Sequence, residues 1–397
     1  MTAFVLAGLY ALAVWHAPDL LTNQQILRDP QIRPEHRLTA EHNARLIAIS
    51  IGGALVVGTG LLYTARNYRL AHRGQVTERF TKALERLGSD ELYVRIGGVH
   101  ALEHVIRDSP QHHGDVVEVL MAFIRERTPR TAPPMIDEGW IHPPTDADAA
   151  ELPTEPAADV QAALTALGCR PRRFKRERLK LDFHDLHLQG ANLASAWLRN
   201  ANLKGAQLRD ANLTLAWLRD TNLMGAQLQG ARLGGACLHH ADLRGALLQT
   251  AELSSAWLYN AQLDHAQLQG AELRYALLRK AHIWHANLQD ADLTGAVLSD
   301  SLLGRTQMRD ANLKNTSLRN AVLPDTQLRD ADLTGAKLQG ADLSQASLSV
   351  EQLRSATIDS HTQLPTVSTS MYKVLCLSGC DDSIQETLTR VHDEDPD

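Results

Sequence analysis

A large apolar residue occupies every fifth position of this chain from residue 183 to residue 358, without a single insertion. Of these 36 positions 32 are Leu, and the other four are Phe183, Ile283, Met308 and Ile358. A small residue stands two positions earlier, and it is Ala in 27 of the 32 units between residues 191 and 346. The pattern therefore describes a repeat of five residues.

The five-residue period restricts the fold because neither a helix of 3.6 residues per turn nor a flat strand of period two places every fifth side chain on one side. The chain must turn at each unit. Four units then make one square coil of 20 residues, with Leu on the axis, Ala at the tight bends and the other three side chains outside. Nine such coils, stacked at about 4.8 Å, predict a rod of roughly 43 Å. One continuous rod without a helix is expected over residues 183–358. The ends of such a stack need caps, and the flanking segments are the candidates.

Two units show the repeat in full: residues 191–195 read Ala-Asn-Leu-Ala-Ser and residues 241–245 read Ala-Asp-Leu-Arg-Gly. In this pattern the chain resembles the pentapeptide-repeat family over a little under half of its length. The resemblance implies a mainly β fold, a right-handed quadrilateral β-helix, and binding rather than catalysis. Its best-known members mimic DNA and protect gyrase. Residues 74–80 and 94–103 resemble the helical region that precedes the repeats in actinobacterial membrane-bound members.

Two apolar segments near the N-terminus predict two transmembrane helices, at about residues 4–15 and 46–63, within a first region of residues 1–65. The second segment has 18 residues without a charge, about 27 Å as a helix, and the first is short for a span. A signal peptide is the alternative for the first segment, but a basic n-region and a cleavage site are missing.

Small residues recur at every fourth position of both segments, a spacing that lets membrane helices approach closely. These residues are Ala3, Ala7 and Ala11 in the first segment and Ser50, Ala54 and Gly58 in the second. We therefore expect a helical hairpin whose two helices are in contact along them. The alternative is that Ala and Gly are simply frequent in membrane helices.

The orientation follows from the basic residues after the second segment, which slightly outnumber those between the segments. Two spans put both ends on one side, and four cysteines without a framework spacing favour a reducing compartment. We expect a multi-pass protein of the cell membrane, bacterial in origin, with its large C-terminal part in the cytoplasm.

Three further regions surround the rod, which is assigned residues 181–360. Residues 66–130 show helical spacing and predict a small helical module of three helices from about residue 75. Residues 131–180 predict a Pro-rich acidic linker, a short helix near residues 159–167 and a basic run. Residues 361–397 predict a C-terminal cap and an acidic tail.

The basic run has the composition of a segment that binds anionic lipid, at about 1 kcal/mol per residue near a charged surface. Solvation of the rod entrance and pairing with the acidic linker are equal alternatives. The residues are Arg170, Arg172, Arg173, Lys175, Arg176, Arg178 and Lys180.

Charge argues against nucleic acid as a partner and against the DNA mimicry of the family. The chain carries a formal net charge of -6, and residues 183–358 hold 16 acidic and 16 basic residues. A rod without net charge lacks the field of a phosphate backbone.

No catalytic, metal or cofactor site is predicted. A phosphate-binding loop, a nucleophile elbow and paired catalytic carboxylates are not visible in the sequence, so we expect no enzyme and no cofactor. The Asp residues of the second repeat position have a structural role available as turn-stabilising groups. Five histidines gather in mid-rod, but solvated histidine is the favoured interpretation, and Cys376 with Cys380 lacks matching ligands. The histidines are His239, His240, His265, His282 and His285.

The 20-residue period also predicts which outward residues form rows along the rod. Trp197, Trp217, Cys237 and Trp257 share one row, and Arg199, Arg219 and Tyr259 lie in the neighbouring row. Exposed Trp and Arg are enriched at binding hot spots. We expect this aromatic and cationic stripe to bind an unknown protein partner or a second copy of the rod, as a homodimer. Shielding of the coil edges or packing on the caps is the equal alternative. The predicted function is a membrane-anchored interaction scaffold; the alternative is an inhibitor or protector of a topoisomerase such as gyrase.

Overall fold

The structure is a computed structural model that describes residues 2–21, 33–130, 135–137, 140–142, 152–171 and 180–365. The chain divides into two compact units, residues 1–79 and 80–397. Its helices and strands are α1 (Thr2–Leu21), α2 (Pro34–Leu87), α3 (Leu92–Asp108), α4 (His113–Arg127), β1 (Met135–Asp137), β2 (Trp140–His142), α5 (Ala158–Gly168) and α6 (Val350–Ser355).

In the first unit, α1 and α2 touch at a point set by one bulky side chain. The Tyr10 hydroxyl donates to the Ile49 carbonyl at 3.1 Å, and a Cβ added to Gly52 would lie 2.0 Å from the Tyr10 ring. The prediction that the small residues of the second segment make the contact is wrong, because Ser50 and Ala54 on α2 are exposed. A Gly is needed where the aromatic ring crosses the helix, so the position of Tyr10 decides the contact.

One segment of the described residues, Pro34–Tyr68, is long and apolar enough to cross a membrane, and its most apolar 18-residue window has a mean hydropathy of 2.0. It contains the predicted span at residues 46–63. The predicted span at residues 4–15 lies within α1, and its place in a membrane stays a prediction. Helix α2 runs on to Leu87 without a break, so the helix expected to start near residue 75 is the end of α2.

Helices α3, α4 and α5 form the helical part of the second unit around a buried ion cluster. The Asp159 carboxylate is fully buried and accepts from Arg95 Nε at 2.6 Å and lies 3.0 Å from Arg127 Nε. Arg95 also donates to the carbonyls of Ser89 and Asp90. Residues 158–168 form the short helix expected near residues 159–167, and this helix packs against α3 and α4 through shared charge.

The interior of the rod is built from the repeat residues as expected. The Leu and Ala positions are almost all buried, down to 0–3% exposure in mid-rod. Where Ser or Thr replaces the inward Ala, its hydroxyl donates to a backbone carbonyl, as Thr306 does to Ile283 at 2.6 Å and Thr326 to Leu303 at 2.7 Å. A buried hydroxyl is thus satisfied without a partner side chain.

Successive coils pair through parallel backbone bridges between residues 20 apart, beginning with Asp182 and Asn202. Each unit ends in a β-turn; for example, the Ala196 amide donates to the Leu193 carbonyl at 3.1 Å, and Ser195 has φ 57. The left-handed conformation recurs at this position in 22 non-glycine residues and ten glycines, and just over half of the former are Asn or Asp. These two types tolerate the conformation best after glycine.

Asn and Asp at the second repeat position brace these turns. The Asn212 side-chain oxygen accepts from the Thr214 amide at 3.2 Å, and Asp332 accepts from both the amide and the hydroxyl of Thr334. The Thr334 hydroxyl, followed by Lys314, lowers the pKa of Asp332 to about 2. These carboxylates have a structural role.

The N-terminal edge of the rod is capped by the preceding helices on two of its four sides through side chains. Arg125 Nε donates to the Asp182 carbonyl at 3.0 Å. The Gln161 amide exchanges two hydrogen bonds with the Asn192 backbone, at 2.9 Å and 2.8 Å. A glutamine side chain here stands in for the missing strand.

Backbone groups cap the other two sides. The His187 amide donates to the Pro129 carbonyl at 3.0 Å, and the Trp197 amide donates to the Gly168 carbonyl at 2.9 Å. All four sides of the first coil therefore find partners in residues 125–129 and 161–168, which act as the N-terminal cap of the rod.

The C-terminal end departs from the expected uninterrupted repeat. Helix α6 lies inside residues 183–358, so the prediction of a rod without a helix is wrong at its last coil. The side chain of Ser349 caps the helix, and Gln352 donates to the Leu328 and Ala331 carbonyls. Ser349 and Gln352 thus form a capping box that starts a helix while the five-residue spacing continues, and a helical turn replaces one side of the last coil.

Candidate interaction face

The rod has four sides, and one of them carries an apolar row that we call the tryptophan face. Its bridging residues follow one another 20 apart. They are Trp197, Trp217, Cys237, Trp257, Leu277 and Val297. The other three sides carry mostly amide, hydroxyl and charged residues in the same row position.

Exposed apolar surface is concentrated on and beside this face. Within residues 180–365, all five exposed large apolar side chains belong to the row itself or to the bend two residues before it. They are Leu215, Trp217, Trp257, Tyr275 and Leu277. Single exposed apolar residues are common on proteins, whereas a contiguous group on one side usually marks a contact surface.

Leu215 and Tyr275 are held beside the face in an unfavourable backbone conformation. Both have φ 58, and Leu215 is 58% and Tyr275 64% exposed. In the next coil, the glycines Gly235 and Gly295 leave room for them, because an added Cβ would lie 2.8 Å and 2.7 Å from their side chains. Bulky residues at left-handed positions cost free energy, and such residues cluster at functional sites.

Trp197 does not take part in the exposed surface. It is 8% exposed, its carbonyl accepts from Arg170 at 2.8 Å, and its ring lies 5.3 Å from that of Trp217. The prediction of Trp197 as a binding residue is wrong, because the N-terminal cap covers the first position of the row. The accessible face starts at Trp217.

The predicted cations of the neighbouring row are paired with a carboxylate. Arg199 and Arg219 both lie 3.4 Å from the carboxylate of Asp220. Tyr259 packs edge-on against His239 and His240, with ring centroids 6.2 Å and 5.9 Å apart. The row beside the face is thus an ordered polar and aromatic border.

The stripe extends beyond the residues predicted from the sequence. The additional residues are Leu277, Val297, Leu215 and Tyr275. Leu277 and Val297 could have been found by continuing the same 20-residue steps. Leu215 and Tyr275 lie in a different row, and only the geometry of the bend brings them beside the face.

His239 lies in the border row beside Cys237, against Trp257 at a centroid distance of 5.6 Å. Its Nδ1 is 3.2 Å from the Cys237 sulfur. Burial, followed by the charge of Arg219, lowers the pKa of His239 below 6.5. The lowered pKa disfavours a charge on this imidazole beside the face.

The mid-rod histidines do not assemble a metal site in the part of the chain that the structure describes. His265 and His285 stack with ring centroids 4.9 Å apart and planes 4° from parallel. Groups of three or more His, Cys, Asp or Glu side chains that could hold a metal are absent from the described residues. Cys376 and Cys380 lie outside those residues.

The basic run is divided between structure and surface. Arg170 is 5% exposed and donates to the carbonyls of Leu167 and Trp197, so its prediction as a lipid-binding residue is wrong. Lys180 is exposed. The other five, Arg172, Arg173, Lys175, Arg176 and Arg178, lie outside the described residues.

Comparison with known proteins identifies the repeat. The family model for pentapeptide repeats matches in eight copies, over residues 187–225, 226–264, 261–300 and 311–349. A search of curated proteins returned no match.

Several solved structures are similar to the repeat region. A trypsin-treated form of QnrB1, a plasmid-mediated fluoroquinolone resistance protein, is 18% identical over 49% of this chain and 99% of that chain, with a TM-score of 0.43. HetL, a pentapeptide-repeat protein involved in heterocyst differentiation regulation in the cyanobacterium Nostoc sp. strain PCC 7120, is 28% identical over 48% of this chain and 87% of that chain, with a TM-score of 0.26. A pentapeptide-repeat protein of the Arabidopsis thaliana thylakoid lumen is 19% identical over 41% of this chain and 88% of that chain, with a TM-score of 0.15.

Proposed function

The chain belongs to the pentapeptide-repeat family, and on that premise we propose that it is a membrane-anchored scaffold that binds a protein partner through the tryptophan face. Proteins of this family fold as right-handed quadrilateral β-helices, which present rigid rows of side chains. The observation that carries the proposal is the concentration of all five exposed large apolar side chains of residues 180–365 on one side of the rod.

The anchor rests on the apolar part of α2. Residues 34–68 are long enough to cross the hydrocarbon core, and Arg66, Arg69 and Arg73 follow its uncharged stretch of residues 46–63. Positive charge next to a span favours the cytoplasmic side. In the proposal α1 is the second membrane helix, and the rod lies in the cytoplasm.

Protection of a topoisomerase through DNA mimicry is the second candidate, and one side of the rod favours it. Glu252, Glu272 and Asp292 follow one another in a single row. However, Arg274 lies 2.5 Å from the Asp292 carboxylate, and basic residues balance acidic ones along the rod. The field of a phosphate backbone is therefore weak, and the scaffold is the better-supported function. A gyrase supercoiling assay in the presence of the protein separates the two candidates.

Site-specific photo-crosslinking in intact membranes tests the scaffold proposal. A photoreactive phenylalanine at Leu277 samples the tryptophan face, and the same substitution at Leu302, which holds the equivalent repeat position on another side, is the matched control. We expect a discrete protein adduct from position 277 and none from position 302. Equal labelling from both positions, or none from either, would contradict the proposal.

A further inference from the structure

We infer that the tryptophan face binds an amphipathic helix that carries one large apolar residue per turn and acidic residues along its flanks. The inference rests on the proposed function, since it concerns the same face, and it adds the chemistry of the partner.

The face offers side chains and no backbone groups. The Leu277 amide donates to Ala256 at 2.9 Å, and its carbonyl accepts from Leu258 at 2.8 Å. The Trp257 amide and carbonyl are paired in the same way with Ala236 and Leu238. Addition of a strand from a partner needs a free sheet edge, so this side of the rod can only bind a partner through packing of side chains.

The spacing of the row matches a helix. Coils are about 4.8 Å apart, so the row from Trp217 to Val297 is roughly 19 Å long. Turns of an α-helix are about 5.4 Å apart, so successive turns of a helix aligned with the rod meet successive coils. Same-side residues of an extended chain are about 6.7 Å apart and lose this register within two coils.

The borders of the face are basic. The bends and row positions that flank Trp217 to Val297 cover residues 214–220, 234–240, 254–260, 274–280 and 294–300. They hold four cationic side chains and two carboxylates, an excess of two positive charges. The cations are Arg219, Arg274, Arg279 and Lys280, and the carboxylates are Asp220 and Asp300. Arg274 lies 2.5 Å from the carboxylate of Asp292, in the row of the preceding side, and Arg279 lies 2.9 Å from that of Asp300. With Asp292 counted, the excess is one positive charge, and because three of the four cations surround Leu277, acidic flanks on the partner are complementary there.

The size of the face argues against a second copy of the rod. Five residues per side at about 3.3 Å each and five coils at about 4.8 Å give a footprint of roughly 400 Å². A stable interface between two folded proteins needs about 800 Å² per partner. Two such faces would also bring like charges together. One helix with acidic flanks fits both the footprint of the face and the positive charge of its borders.

A lipid surface fits less well, because the two accessible tryptophans are only about half exposed. Trp257 is 49% exposed, and His239 holds it edge-on. Insertion into the headgroup region requires apolar groups to reach about 5–10 Å into it. Half-buried, restrained aromatic rings instead favour a rigid protein surface, since little side-chain entropy is lost on binding.

The test uses the full-length protein in nanodiscs and two synthetic 18-residue amphipathic helices. Both carry the same leucine stripe, one with Glu flanks and one with Lys flanks, and fluorescence anisotropy of the labelled peptides gives Kd. We expect the Glu helix to bind at least tenfold more tightly than the Lys helix. Leu277→Glu should weaken binding of the Glu helix at least tenfold, and the matched Leu302→Glu on another side should leave it within twofold.

Equal affinity for the two helices, or equal loss in both variants, would overturn the inference. A change in oligomeric state caused by Leu277→Glu would identify a second copy as the occupant. A tryptophan emission shift in anionic nanodiscs that is absent in zwitterionic nanodiscs and removed by Leu277→Glu would identify lipid as the occupant. Either the change in oligomeric state or this emission shift would also overturn the inference. If neither helix binds while position 277 still crosslinks to a protein in membranes, the proposed function stands and the acidic helix is rejected.

Discussion

Each axial Leu of the rod fills a slot that neighbouring coils close above and below. Leu268 is 1% exposed, and it lies between Leu248 and Leu288, which are equally buried. Burial of such a side chain stabilises the fold by about 1.5–3 kcal/mol relative to exposure. The slot has no polar partner for a charge.

Leu268→Arg should therefore destabilise the protein by several kcal/mol, because it buries an unpaired cation. Gln267→Arg, at the adjacent outward position, is the control and should have little effect. Urea unfolding of both variants measures the difference. Equal stability of Leu268→Arg and the parent would show that the inward row is misassigned.

The stacked pair His265 and His285 makes stability depend on pH. Burial, followed by the charge of His285, lowers the pKa of His265 below 6.5. As the pH falls through 6.5, the unfolded state takes up a proton that the native state resists, so the free energy of unfolding decreases until the pH passes below the pKa of the folded state.

We expect His265→Gln to lose part of this decrease, because its side chain does not titrate. Thermal unfolding at a series of pH values between 7 and 5 measures it, and Gln also keeps the polar character of the site. A parallel pH dependence in the parent and the variant would refute the assignment to His265.

The limits of the sequence are visible at single residues. The five-residue period was enough to predict the inward Leu positions. The coil length of 20 residues was enough to predict that Trp217 and Trp257 lie in one row. It could not predict that Trp197 is covered, because the residues that cover it, Gly168 and Arg170, lie outside the repeat. Periodicity carries information only about contacts inside the repeat.

Among the elements, helix α5 separates what the sequence predicts from what it does not. A short helix was expected near residues 159–167, but not its packing against α3 and α4 or the Gln161 and Gly168 groups with which it caps the rod. These contacts depend on Asp159 meeting Arg95 and Arg127. No local pattern in the sequence predicts an ion cluster whose residues come from three separate helices.

Asp159→Ala should destabilise the cap by about 3–5 kcal/mol, since it leaves Arg95 buried without its carboxylate. Asp220→Ala, which removes a carboxylate paired with two arginines at the surface, is the matched control and should cost about 0–1 kcal/mol. Hydrogen exchange of the amides of residues 182–197 measures cap opening. Equal protection in both variants would show that the cluster does not hold the cap.

In the proposed function the whole molecule combines an apolar anchor with a rigid rod. Apolar residues inserted in lipid, as proposed for α2, hold a protein at the membrane independently of ionic strength, because charge screening does not act on them. The protein should therefore stay in the membrane fraction in 1 M salt and in alkaline carbonate, as followed by sedimentation and immunoblotting. Release by either treatment would contradict the anchor.

We propose that the exposed residues of the tryptophan face bind the partner and do not serve the fold. Trp217→Ala combined with Trp257→Ala tests this role, with Leu302→Ala on another side as control. The partner first crosslinked from position 277 is quantified after affinity purification of the full-length protein from membranes, and the melting temperature is measured in parallel. We expect at least a tenfold loss of the partner, equivalent to about 1.4 kcal/mol, with a nearly unchanged melting temperature. Unchanged recovery of the partner, or a collapse of thermal stability, would contradict it.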